Sequence, residues 1–131
     1  MHFTIALPIA DRRASFDFYR QALRLTAVGP VADDGLPEPL AFELADGVQL
    51  MLIPADGFAG VIGGHRVAER GLTEWLLDVA AHGQDEVNDL VERVRGVGGR
   101  VLEDPQSKSW GYAALFADPD GHLWTTTAAL E

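Results

Sequence analysis

The chain has 131 residues, 47% of them hydrophobic, enough for one globular domain with a core of its own. Twenty Asp and Glu against ten Lys and Arg leave a net charge of −10, which argues against nucleic acid and anionic membrane as partners. The absence of cysteine excludes a disulfide framework, a thiolate nucleophile and a Cys-based zinc site. No basic segment leads into an apolar run at the N-terminus, and no apolar stretch approaches the ~20 residues of a membrane span, so a cytoplasmic location is expected.

In chain order, residues 3–9 read as a strand, with Ile5, Leu7 and Ile9 on one face and Thr4, Ala6 and Pro8 on the other. Asp11 reads as the N-cap of a helix over residues 12–23, whose apolar stripe is Phe16, Tyr19, Ala22 and Leu23. Residues 28–39 are rich in turn formers. A strand over 40–44, the hairpin pair Asp46-Gly47 and a return strand over 48–53 follow. Residues 54–71 carry five glycines and read as a connecting loop in which Phe58, Val61 and Ile62 could cover a pocket.

The same order then begins again. Residues 73–79 are expected to form a strand with Trp75, Leu77 and Val79 on one face and Glu74, Leu76 and Asp78 on the other. Residues 85–97 are the clearest helix, closed by Gly98-Gly99. A short strand over 100–102 and a polar turn over 107–111 lead to two strand-like runs between Tyr112 and Thr127. Asp118-Pro119-Asp120-Gly121 joins them: proline presets φ, Asp bonds nearby backbone and Gly takes positive φ.

This is an internal duplication of one order: strand, helix, short strand, hairpin. Anchoring Ile9 on Val79 and Gly47 on Gly121 sets Thr4 opposite Glu74, and Met51 opposite Thr125. The expected fold is α+β, with two tandem βαβββ modules, each sheet covered by its helix on one face and curled round a cleft on the other. Module one spans about 1–55, a connecting loop about 56–71, and module two about 72–131.

The helix carrying Phe18-Tyr19 and Leu23, together with the run Phe116-Ala-Asp-Pro-Asp-Gly-His-Leu-Trp124, resembles the vicinal oxygen chelate superfamily. That superfamily includes glyoxalase I, bleomycin-resistance proteins, fosfomycin-resistance enzymes and extradiol dioxygenases. The resemblance covers essentially the whole chain and implies paired half-barrel modules and a homodimer. It is nearly silent on the reaction, because one fold hosts several chemistries. Metal-dependent relatives place His or Glu at four register positions, which here are Thr4, Met51, Glu74 and Thr125. Only Glu74 is a conventional donor, and one carboxylate does not make a site. The expectation is therefore no metal and no cofactor, with His2 plus Glu74 as the alternative metal pair.

Without a metal, Glu74 is the one candidate general base, provided an apolar cavity raises its pKa; pairing with arginine or meeting solvent is the structural alternative. Trp75 and Trp124 alternate into the core. Trp110, in a polar turn, is either a ligand-stacking residue or a dimer contact, and Phe42 and Tyr112 are candidates for the cavity walls. The leading expectation is a metal-free homodimer of the bleomycin-resistance type. It would bind or sequester an aromatic or amphiphilic natural product or antibiotic through Thr4, Phe42, Met51, Glu74, Trp110, Tyr112 and Thr125. A glyoxalase-like lyase or isomerase using Glu74 as base, or a metal-dependent activity through an unrecognised site, is the alternative, and a degenerate, purely dimerising family member is a third.

Overall fold

Two four-stranded sheets with the same strand order make up the computed structural model, which describes residues 1–130. The first unit, ending at Glu69, contains β1 (Phe3–Ile9), α1 (Arg12–Gln21), β2 (Thr26–Val28), β3 (Leu40–Ala45), β4 (Val48–Pro54) and α2 (Ala55–Val61). Its sheet runs β1-β4-β3-β2, with β1 parallel to β4. The second unit, from Arg70 onward, contains β5 (Leu77–Ala81), α3 (Gln84–Gly96), β6 (Arg100–Lys108), β7 (Gly111–Ala117) and β8 (Leu123–Ala128). Its sheet runs β5-β8-β7-β6, with β5 parallel to β8. The fold is α+β, two tandem βαβββ modules.

Period-2 alternation decides which face of each sheet its helix covers. In the first sheet Leu7, Ile9, Leu50, Leu52, Leu40 and Phe42 are buried. The α1 residues Phe18 and Tyr19 and the C-cap Ala22 are fully buried, and Phe16 and Tyr19 each place their rings 5.9 Å from that of Phe42. Each such aliphatic or aromatic side chain contributes about 1.5–3 kcal/mol of burial free energy. In the second sheet Ala114, Phe116, Trp124, Thr126 and Ala128 take the equivalent places, facing Val87, Leu90, Val91 and Val94. Phe116 and Trp124 stack at 6.4 Å.

The helix ends follow their local chemistry. Asp11 caps α1, its Oδ1 accepting from the Ala14 N–H at 3.0 Å. Helix α1 stops at Gln21, two residues short of the expected end, as Arg24 adopts a φ of 56° and the Leu25 N–H turns back to the Tyr19 carbonyl. Helix α3 has Gly83 at its N-cap, and the Glu86 carboxylate compensates by accepting from the His82 N–H at 2.9 Å. Asp85 and Glu86 in its first turn and Arg93 and Arg95 in its last oppose the helix dipole.

Three expectations change. The connecting segment is not wholly loop, since residues 55–61 form α2 against β1 and β4. Strand β6 runs on to Lys108 through two irregularities, so residues 107 and 108 belong to a ladder and the turn shrinks to Ser109-Trp110. Strand β5 begins at Leu77, not at residue 73. Its parallel partner β8 starts only at Leu123, and the hairpin at residues 118–122 offers no ladder for residues 73–75 to join. No helix among the described residues is long and apolar enough to cross a membrane.

The loop before β3 is tied to the start of α1 by one arginine. Arg12 Nη1 lies 2.9 Å from Glu38 Oε2, and Nη2 lies 3.3 Å from Asp34 Oδ2 and donates to the Pro37 carbonyl. Asp34 also accepts the Leu36 N–H at 3.0 Å, seating Leu36 in the core. The Leu36 N–H, and secondarily the Arg12 guanidinium, hold the Asp34 carboxyl below its ordinary value of 3.8. A depressed folded-state pKa stabilises above the unfolded value, and that contribution is lost as pH falls through the folded value. The protection of the Leu36 amide, taken relative to its intrinsic exchange rate at each pH, should therefore fall on acidification below about pH 4, and Asp34→Asn should remove that acid-dependent component. An unchanged acid profile in Asp34→Asn would show that other carboxylates govern the loop.

Candidate functional site

The uncovered faces of the two sheets carry the residues available to a ligand. In the first unit that face presents Thr4, Ala6 and Pro8 from β1 and Gln49, Met51 and Ile53 from β4. Thr4 Oγ1 accepts from Gln49 Nε2 at 3.0 Å. Both residues line an open groove of about 420 Å³, shared with His2, Glu43 and Asp46. Met51 is half-buried at mid-strand.

In the second unit the face turned away from α3 is a small array set by strand pairing, with Asp78 and Ala80 exposed and Ala113 and Ala117 buried. Asp78 lies across from Thr125, which lies across from Leu115; one step on, Ala80, Thr127 and Ala113 form the next row. Leu123 and Ala117 form the row before. Thr125 Oγ1 and Thr127 Oγ1 each donate to Asp78 Oδ1 at 2.7 Å. The two hydroxyls sit two residues apart on one strand, so alternation points both toward the neighbouring carboxylate.

The hairpin that frames this face is locked from within. Asp118 is buried, and its Oδ1 accepts the backbone N–H groups of Asp120 and His122, both at 2.9 Å. Gly121 takes a φ of 91°, and Arg70 lies over it, donating to the Pro119 carbonyl.

Several residues expected at the cleft lie elsewhere. Glu74 is exposed at a bend before β5, not on the inner face of a strand. The duplication register explains the displacement. Met51 pairs with Ala6 and Thr125 with Asp78, so Ala6 and Asp78 are equivalent, as are Ile9 and Ala81 at the strand ends. The residue equivalent to Thr4 is therefore Leu76, 53% exposed, and Glu74 falls at the level of His2. Alanine is a weak strand former, so Ala80-Ala81 gives little sign that β5 runs two residues past Val79.

Phe42 and Tyr112 also leave the cavity wall. Phe42 is fully buried under α1, and Tyr112 packs beside Val87, Val91 and Ala128 with its hydroxyl donating to Asn88 Oδ1 at 2.8 Å. Both stand on the helix-facing parity of their strands. Trp110 is 63% exposed in the β6–β7 turn, and Lys108 Nζ lies 5.7 Å from its ring centroid. One cation–π contact is thus made within the chain itself. Sequence reasoning missed Asp78, which it placed on the correct face without assigning it a role; its contact with Thr125 and Thr127 follows only from the pairing of β5 with β8.

The four register positions where metal-dependent relatives hold donors are Thr4, Met51, Leu76 and Thr125. This set does not fit a divalent metal, which needs three or four imidazole or carboxylate donors converging. No group of three or more His, Asp or Glu among the described residues is placed to hold one.

Residues 3–127 match the family model described as a glyoxalase-like domain. No curated protein matches the chain. Among solved structures, a hypothetical protein from S. aureus is 23% identical with a TM-score of 0.82, covering 98% of this chain and 94% of its own. A glyoxalase-related enzyme from Fulvimarina pelagi is 25% identical with a TM-score of 0.83, over 98% and 87% of the two chains. The antibiotic binding protein TnmS3 from Streptomyces sp. CB03234 is 20% identical with a TM-score of 0.61, over 99% and 96%. The duplicated βαβββ order, the capped Phe-Tyr helix and the Asp-Pro-Asp-Gly-His hairpin agree with this match, and the chain belongs to the glyoxalase-like domain family of the vicinal oxygen chelate superfamily.

Proposed function

We propose that the protein is a metal-free, small-molecule-binding member of this family, holding an aromatic or amphiphilic natural product or antibiotic on its open sheet faces as a homodimer. The observation that carries this reading is the replacement of the four ligand positions by Thr4, Met51, Leu76 and Thr125. The same faces keep apolar surface with a few fixed polar groups, which is the make-up of a ligand site. The antibiotic-binding neighbour lends support at the level of fold only. Glu74 carries no part of it, because a general base needs a desolvated carboxylate and this one is exposed.

Dimerisation is supported by exposed Phe3, Leu76 and Trp110 and by the unpaired edges of β1, β2, β5 and β6. Thr4, Met51 and Thr125 are the proposed contacts on the open faces, and Trp110 is proposed as a stacking residue at the rim.

The test combines metal analysis with a binding panel. Protein dialysed against nickel, zinc, iron and manganese should retain well under one metal equivalent. Planar and amphiphilic antibiotics, followed by tryptophan quenching, should bind reversibly and come off chemically unchanged. Stoichiometric metal retention together with consumption of a bound compound would overturn the reading.

A further inference from the structure

We infer that Asp78, with Thr125 and Thr127, is the anchor for a protonated amine, so that the compound bound on the second sheet is an amphiphilic organic cation. This rests on the small-molecule reading above and adds the charge of the ligand. Both threonine hydroxyls spend their single proton on the same oxygen, Asp78 Oδ1. That arrangement fixes the carboxylate and leaves Oδ2 without a protein partner among the described residues. Two hydroxyl donors on one oxygen hold the carboxylate in a single orientation, with its second oxygen open to a positively charged donor.

The surroundings decide what kind of cation fits. The adjoining positions on this face are Ala80, Ala113, Leu115, Ala117 and Leu123. They supply no further oxygen donors, whereas calcium takes six to eight and magnesium demands near-octahedral oxygen geometry. An ammonium needs only a few acceptors and tolerates an apolar body beside it, such as half-buried Leu115 and Leu123 present. The next charged residue across the sheet, Glu103 opposite Leu115, already pairs with Lys108 at 2.9 Å. Arginine 100 lies at the far edge, opposite Ala117, three strands from Asp78. Asp78 thus has no cation paired with it among the described residues, in a chain whose net charge of −10 draws cations toward it.

Three probes of one shape separate charge from bulk: 1-naphthylmethylamine, 1-naphthalenemethanol and 1-naphthoate, titrated calorimetrically into the full chain. The amine should bind at least tenfold more tightly than the alcohol, and the naphthoate more weakly than either. The preference should shrink at high salt and disappear in Asp78→Asn, where the amide oxygen can still accept the threonine hydroxyls. Methyl resonances of Thr125 and Thr127 in the unmutated protein should shift with the amine, a readout that does not depend on any variant folding. Equal binding of amine and alcohol, or a preference that survives Asp78→Asn, overturns the anchor while leaving the small-molecule reading intact. Amine-induced shifts confined to residues away from this face also overturn the anchor. Failure of all three probes to bind overturns both.

Discussion

Gly111→Ala should cost about 3 kcal/mol or more in stability, the largest loss expected of any one-methyl change in the chain. Gly111 opens β7 at a φ of 150°, in the region that L side chains rarely adopt. A Cβ there would drive into the Ala128 carbonyl and stand 3.1 Å from Thr127 Cγ2. Neither neighbour yields cheaply, because Ala128 is backbone in the β7–β8 ladder, where it lies opposite Tyr112. Strain at a disallowed φ contributes about 1–3 kcal/mol and overpacking about as much again. Gly98→Ala is the control: its φ of 83° is also positive, but its added methyl meets nothing within 4 Å. That variant should lose only about 1–2 kcal/mol. Urea unfolding of both at one protein concentration checks the difference; equal losses would mean that the Ala128 clash relaxes away.

Phe42→Ala should lose about 3–5 kcal/mol, the range for a buried aromatic truncated in a core. Its ring is fully buried, with Phe16 and Tyr19 each 5.9 Å away centroid to centroid. Removing it leaves a cavity between α1 and β3 that only a shift of the helix could close. Met51→Ala, on the open face of β4 and half-buried, should lose less, about 2 kcal/mol, the low end for such truncations. The ordering tests which face is core. If Met51→Ala proved the more damaging, the open face would be the better packed of the two.

The sequence stated the order of elements clearly because each has a local cause. Asp11, the stripe of α3, Gly98 and the Asp-Pro-Asp-Gly turn act within a few residues, and the structure follows them closely. The start of β5 was not legible, because it is fixed by where its partner strand leaves the hairpin at Leu123, far along the chain, a non-local constraint. That displaced Glu74 from the inner face and Leu76 into the position of Thr4. Phe42 and Tyr112 were assigned to the wall by their neighbourhood in the hairpins, whereas strand parity sends them under the helices. The Asp78 cluster needed pairing register, since nothing local says that two threonines of β8 stand beside an aspartate of β5.

The repeat also contains a natural blank for its own polar cluster. The residues of the first sheet equivalent to Asp78, Thr125 and Thr127 are Ala6, Met51 and Ile53, by the same pairing of β1 with β4 and of β5 with β8. Corresponding positions of the two repeats thus carry unlike chemistry inside a single polypeptide, an alanine, a methionine and an isoleucine in one and an aspartate with two threonines in the other. It also means that the chain presents this Asp-Thr-Thr arrangement once, so the proposed anchor would occur once per copy of the chain.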